Sequence, residues 1–175
     1  FGFEAYPDPK VRYERADEFI DVVQKLWDSW EDDAFQYNKT SGVFYDADKN
    51  HEPLHQGQYF KVQGALNVPR PPQGYPVIVQ AGQSEDGREL AAKYAEVIFT
   101  AQQDLADAQA FYRDVKSRLT KYGRHADDIK IMPGVSIFVA QPKQESYEKN
   151  ELLTSFIHPD FCQGLFSDLS GAVVL

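Results

Sequence analysis

Ser84 ends the stretch Pro76-Val-Ile-Val-Gln-Ala-Gly-Gln-Ser84 and precedes Glu-Asp-Gly-Arg-Glu-Leu-Ala-Ala-Lys-Tyr-Ala95, where this sequence offers the most chemistry. Residues 77–81 read as a buried strand, Gly82 allows a sharp turn, and Ser84 caps the helix that follows. A turn of this kind leaves several backbone N–H groups unpaired at the positive end of a helix dipole. That combination suits a phosphate, and the Ser84 hydroxyl adds one more hydrogen bond. On local evidence alone, an ordinary strand-to-helix turn with a serine cap is the better reading. Arg88, one turn into the helix, either neutralises a phosphate or pairs with Glu85 or a neighbouring helix. Glu85 and Asp86 suit the dipole but would repel an anion, so they are expected to point away.

The remaining candidates carry less. His51 and His55 are four apart, a spacing that binds zinc on a helix, but Pro53 intervenes and no Glu or Cys completes a ligand set. They read as loop residues, and no metal site is expected. His125 and His158 read as surface residues beside turns. Glu31-Asp-Asp33 reads as a solvated helix end rather than a metal site. Cys162, the single cysteine, reads as a small buried apolar residue; it excludes an internal disulfide and fits a reducing, cytoplasmic setting. No catalytic residue is identified.

A chain of 175 residues with 42% hydrophobic content is large enough for one core. A net charge of -9 argues against a broad nucleic-acid surface. No apolar run reaches membrane-spanning length, and no signal-peptide pattern is present. The start at Phe1 rather than Met leaves room for a preceding segment, a targeting segment included.

The elements that must position Ser84 follow from periodicity. Over residues 12–30, Tyr13, Ala16, Phe19, Ile20, Val23, Leu26, Trp27 and Trp30 recur at spacings of three and four, making one apolar helical face. Residues 31–73 have no sustained period, apart from a short strand over 57–62, and so long a segment is often functional. Pro69, Pro71 and Pro72 deliver an extended chain to the strand at Val77. Strand 77–81 then leads to helix 84–95, and strand 97–100 leads to helix 104–122. Leu105, Ala108, Phe111, Tyr112, Val115 and Leu119 line one face of the second helix, and Gly123 stops it. Strand 129–132 follows, 135–140 extends it, and a helix runs from Pro142 to about Ile157. Alternating strands and helices predict an α/β fold with three parallel strands. Three strands are too few for a closed barrel, which needs eight. A segment of a larger enzyme is therefore expected.

Several separated stretches resemble, in order, the flavin-dependent monooxygenases of the bacterial luciferase-like superfamily. The resemblance is strongest to the branch of nitrilotriacetate, dibenzothiophene-sulfone and long-chain alkane monooxygenases. It rests on Arg12-Tyr-Glu-Arg-Ala-Asp-Glu-Phe19, Leu26-Trp-Asp-Ser-Trp-Glu-Asp-Asp33, Arg70-Pro-Pro-Gln-Gly-Tyr-Pro-Val-Ile-Val-Gln-Ala-Gly-Gln-Ser84, Ala95-Glu-Val-Ile-Phe-Thr100 and Ile129-Lys-Ile-Met-Pro-Gly134. It runs to about Gly171. It implies that residues 1–175 are one partial domain of a (β/α)8 TIM barrel, with strands five to seven, flanking helices and a long insertion at 31–73. It also implies reduced FMN supplied by a separate flavin reductase, molecular oxygen as co-substrate, and a small organic substrate. Ser84 and Tyr13 are implied as contacts of the FMN phosphate, with Gly82 and Gln83 as backbone donors. The positions used around the flavin ring lie in the part of the family pattern that precedes this chain. Two other readings stand beside this one: a non-catalytic barrel remnant that binds at most phosphate or assembles with a partner, and a deazaflavin-dependent dehydrogenase. Substrate identity and homo-oligomer formation are left open.

Overall fold

The computed structural model describes residues 7–102 and 104–158. The chain divides into two compact units, Phe1–Gly134 and Val135–Leu175. Cys162 and the end of the family-like stretch at Gly171 lie outside the described residues.

The first unit opens with helix α1, Pro9–Trp27, capped by the Asp8 carboxylate on the Lys10 N–H, with proline in the first turn. The helix was expected at 12–30; it ends earlier because Ser29 and Trp30 turn out to anchor the next segment. The Trp30 indole donates to the Leu66 carbonyl at 2.7 Å, and the Ser29 hydroxyl accepts from the Leu66 N–H at 3.2 Å. Val22, absent from the expected apolar face, is the buried residue of α1, whereas Phe19 is exposed.

Residues 31–73 are more ordered than their sequence implies. A hairpin forms from β1, Leu54–Gln56, and antiparallel β2, Lys61–Gln63. The strand expected over 57–62 is therefore displaced: Gly57 and Phe60 close the turn, joined by a 2.9 Å hydrogen bond. Its clamp comes from α1. The Glu18 carboxylate accepts the N–H groups of Tyr59 and Phe60 at 2.9 and 2.8 Å and stands 2.9 Å from His55 Nε2. Burial raises the Glu18 pKa, but these hydrogen bonds outweigh it and hold the group below its ordinary value. His55 is thus a strand residue paired with a carboxylate rather than a loop histidine. Farther out, Phe35, Tyr37, Phe44 and Tyr45 cluster with Trp30.

The sheet that carries the candidate site has parallel order β3–β4–β5: Val79–Gln80, Val97–Thr100 and Lys130–Pro133. Helix α2, Glu85–Tyr94, and helix α3, Leu105–Arg118, cover one face. There Ala91, Ala92, Ala95, Ile98, Phe111, Val115, Leu119 and Ile129 form the core, with Ile78 and Ile131 packed against it. Strand alternation sends Val79, Phe99 and Met132 to the other face, where they are 62%, 47% and 57% exposed. The strand at 77–81 was expected to be buried; it is shorter, and Val77 and Val79 lie open. Helix α3 gives way at Leu119 to a 3-10 turn ending at Gly123 in the left-handed region, φ 67°. Of its expected face, Leu105 and Tyr112 are exposed, while Phe111, Val115 and Leu119 are buried.

An ion-pair network ties α2 to α3. Arg118 grips Glu85 at 2.6 and 3.0 Å, Glu89 at 3.1 Å and Asp114 at 3.0 Å, and Arg88 reaches Asp114 at 2.7 Å. Replacing Arg118 by Met removes the cation that Glu85, Glu89 and Asp114 share, leaving them only Arg88 and Lys121, and should cost roughly 2 kcal/mol in denaturant unfolding. Hydrogen bonds from Lys121, then Tyr122, outweigh burial and, with Arg118, hold Glu89 down to about 2 from its ordinary 4.5. A depressed carboxylate stabilises the fold above its unfolded pKa and loses that contribution as pH falls toward its folded value. The melting temperature should therefore hold above about pH 4.5 and fall toward pH 2. In Glu89→Gln this part of the acid loss should be missing.

The second unit contains α4, Lys143–Ser155, which follows Pro142 as expected and ends two residues before Ile157. Residues 135–140 form no strand; Val135, Ile137 and Val139 are exposed instead. Among the described residues, no helix is long and apolar enough to cross a membrane.

Candidate functional site

The site lies where β3 ends and α2 begins. Ser84 takes extended backbone dihedrals, φ -64° and ψ 166°, and its Oγ accepts the Gly87 N–H at 3.2 Å. The first intrahelical bond runs from the Arg88 N–H to the Ser84 carbonyl at 2.9 Å. The N–H groups of Glu85 and Asp86 therefore point from the first turn without an intrahelical acceptor. Ser84 Oγ thus accepts from Gly87 and donates its own proton to the Tyr13 hydroxyl at 3.4 Å.

Tyr13 reaches this turn from α1. Its hydroxyl is 3.4 Å from Ser84 Oγ. The same hydroxyl lies against both glycines of the turn: a β-carbon at Gly82 or at Gly87 would sit 2.8 Å from it. A β-carbon on Gly82 would also lie 2.9 Å from the Gly87 Cα. Two residues 71 positions apart, Tyr13 and Ser84, are thus brought together by close approach at two bare backbones. Periodicity puts Tyr13 on an apolar face; in the structure its ring is half-buried and its hydroxyl sits at the turn.

Of the two expected backbone donors, Gly82 differs from the expectation. The Gly82 N–H donates to Gln80 Oε1 at 2.7 Å, so it is already engaged and its role is to admit close packing. Gln83 is held through its side chain: Oε1 accepts from Gln102 Nε2 at 2.8 Å and from Thr100 Oγ1 at 3.4 Å. Local sequence patterns pointed to neither Gln80 nor Gln102.

Of the acidic residues of the first turn, Glu85 is held by its neighbours. Glu85 is drawn to Arg118 and Arg88, and the Arg118 hydrogen bond outweighs burial to hold it below the ordinary carboxylate range. Arg88 is engaged by Glu85 and Asp114, which decides between its two readings in favour of the salt bridge. Glu31, Asp32 and Asp33 pair with His51, Arg70 and Lys49; since α1 ends at Trp27, they are loop residues held in ion pairs rather than the solvated helix end expected. Among the described residues, no group of three His, Cys, Asp or Glu is placed to hold a metal ion.

Residues 1–163 match the family described as luciferase-like monooxygenase. The chain belongs to that family. It is 51% identical over 175 residues to nitrilotriacetate monooxygenase component A of Aminobacter aminovorans, covering 100% of this chain and 39% of that protein. Among solved structures, a long-chain alkane monooxygenase superposes with a TM-score of 0.87 at 35% identity, over 98% of this chain and 40% of the other. A riboflavin lyase, solved with modified FMN and its substrate riboflavin, superposes at 0.85 and 32% identity over 93% of this chain and 36% of the other. The luciferase-like chain thus spans about 40% of the length of these relatives. Its α/β organisation agrees with theirs, and its parallel strands do not close into a barrel among the described residues.

Proposed function

We propose that this luciferase-like chain is the middle-to-C-terminal part of an FMN-dependent monooxygenase. In this reading residues 1–175 are one partial TIM-barrel domain, and β3, β4 and β5 are barrel strands five, six and seven. Family membership and the 39% and 40% coverage of two relatives support it. The open sheet face bearing Val79, Phe99 and Met132 suits a barrel interior.

The observation that carries the assignment is the meeting of the Tyr13 hydroxyl, Ser84 Oγ and the first turn of α2 at two packed glycines. This is a cradle that a β-carbon would fill, with donors and a favourable dipole for a phosphate monoester. The site fits the phosphate of FMN on those grounds. Ser84 and Tyr13 hold it, the Glu85 and Asp86 N–H groups complete the donor set, and Gly82 lets the backbone come close. Bound reduced flavin supplies the oxygen chemistry; these residues bind and orient the cofactor. The name component A, carried by the nitrilotriacetate relative, supports a two-component arrangement in which a separate reductase provides the reduced flavin. The substrate is a small organic molecule, and the part of the family pattern preceding this chain supplies the positions around the flavin ring.

Ser84→Ala in the complete protein should weaken binding of reduced FMN by about 1 kcal/mol, the worth of a hydrogen bond to a charged group. Ser84→Asp should be worse, since it sets a negative charge against the phosphate. Anaerobic fluorescence titration measures both, and wild-type affinity in Ser84→Ala would count against the assignment.

A further inference from the structure

Two glutamines outside the phosphate contacts grip the turn from opposite sides, and from this we infer that Gln80 and Gln102 are positioning residues for the phosphate cradle. The inference rests on the FMN reading above. Gln80 ends β3, and its side chain curls forward so that Oε1 takes the Gly82 N–H at 2.7 Å. Its amide lies directly over the glycine: a β-carbon on Gly82 would be 2.4 Å from Gln80 Nε2. This fixes where the chain leaves the strand.

The apex is fixed from the neighbouring strand. Gln83 is exposed, yet its Oε1 accepts from Gln102 Nε2 at 2.8 Å and from the hydroxyl of Thr100 at 3.4 Å. Thr100 ends β4 and is only 2% exposed, so Gln83 is tied to a buried hydroxyl. The loop after β3 is therefore tied to the end of β4. A site is precise when supporting hydrogen bonds lock the residues that touch the ligand. Between Gln80 on one side and the Thr100–Gln102 pair on the other, Ser84 and the first N–H groups of α2 are held in place before the anion arrives.

The test uses the affinity of the complete protein for reduced FMN relative to reduced riboflavin, which lacks the phosphate. General damage to the fold weakens both flavins together, whereas a displaced cradle lowers the ratio. Gln80→Met keeps the length of the side chain and removes the acceptor. Gln102→Leu, at a half-exposed position two residues beyond β4, removes the donor to Gln83. Each should lower the FMN-to-riboflavin ratio about fivefold, the scale of one hydrogen bond. Gln80→Met should also speed amide hydrogen exchange at Gly82. Ser84→Ala, measured alongside, tests the underlying reading. A lowered ratio in Ser84→Ala with unchanged ratios in both glutamine variants would overturn the positioning role alone. An unchanged ratio in Ser84→Ala would overturn the phosphate site, and this inference with it.

Discussion

Produced by itself, the 175-residue chain should self-associate, unfold without a sharp transition, and fail to oxidise substrate even when FMN and a reductase are supplied. The reason lies in the sheet. One face is closed by α2 and α3 over Ile98 and Ile131, but Val77, Val79, Phe99 and Met132 stand open on the other. Among the described residues β3 and β5 each pair on one side only, leaving rows of backbone donors and acceptors for another chain. An apolar face of this kind, bordered by two unpaired strand edges, favours association. Analytical ultracentrifugation across concentrations, with thermal unfolding followed by two probes, measures the effect. A monomer with coincident two-state transitions and oxygenase turnover would contradict the barrel reading, because the face would then need no cover.

Replacing Gly87 by alanine should strongly damage the proposed phosphate site. In an exposed helix the same change would be favourable by about 1 kcal/mol. Here the new β-carbon would lie 2.8 Å from the Tyr13 hydroxyl, 2.9 Å from the Gly82 Cα and 3.0 Å from the Gly82 carbonyl carbon. Two of those three atoms are backbone of a turn held by Gln80, so relief requires the turn or α1 to move. Overpacking costs of roughly 1–3 kcal/mol exceed the helix-propensity gain. FMN affinity should fall by more than about tenfold, since Tyr13 and Ser84 are displaced from each other together. Gly123→Ala is the matched control. It costs backbone strain at φ 67° but meets nothing within 4 Å, and should leave FMN affinity unchanged.

What the sequence made legible was whatever a local signal fixes. Ser84 and Asp104 announce their helices because each side-chain oxygen caps backbone N–H groups within three residues. The strand at Val97–Thr100 is an uninterrupted β-prone run, and Gly123 stops its helix by dihedral freedom. What was hidden depends on partners far away in the chain. The 54–63 hairpin is held by Glu18, a carboxylate some forty residues earlier, and nothing near His55 or Tyr59 foretells it. Apolar spacing gave most of the helical face of α1, with Ala16, Ile20, Val23, Leu26 and Trp27 half-buried, but it included the exposed Phe19 and missed the buried Val22, because what covers α1 lies elsewhere in the chain. At the site, the Ala-Gly-x-Ser pattern pointed to Ser84, and the family resemblance brought in Tyr13. The engagement of the Gly82 N–H by Gln80 is a matter of rotamer, which spacing does not encode.

The most direct test of the account is the affinity of the complete protein for reduced FMN and for reduced riboflavin, titrated anaerobically under the same conditions. If the turn at residues 82–84 and Tyr13 hold the flavin phosphate, FMN should bind at least about tenfold more tightly, since several charge-assisted hydrogen bonds are lost with the phosphate. Equal affinity for the two flavins would mean that this turn is only a serine-capped helix start and that the cofactor is held elsewhere.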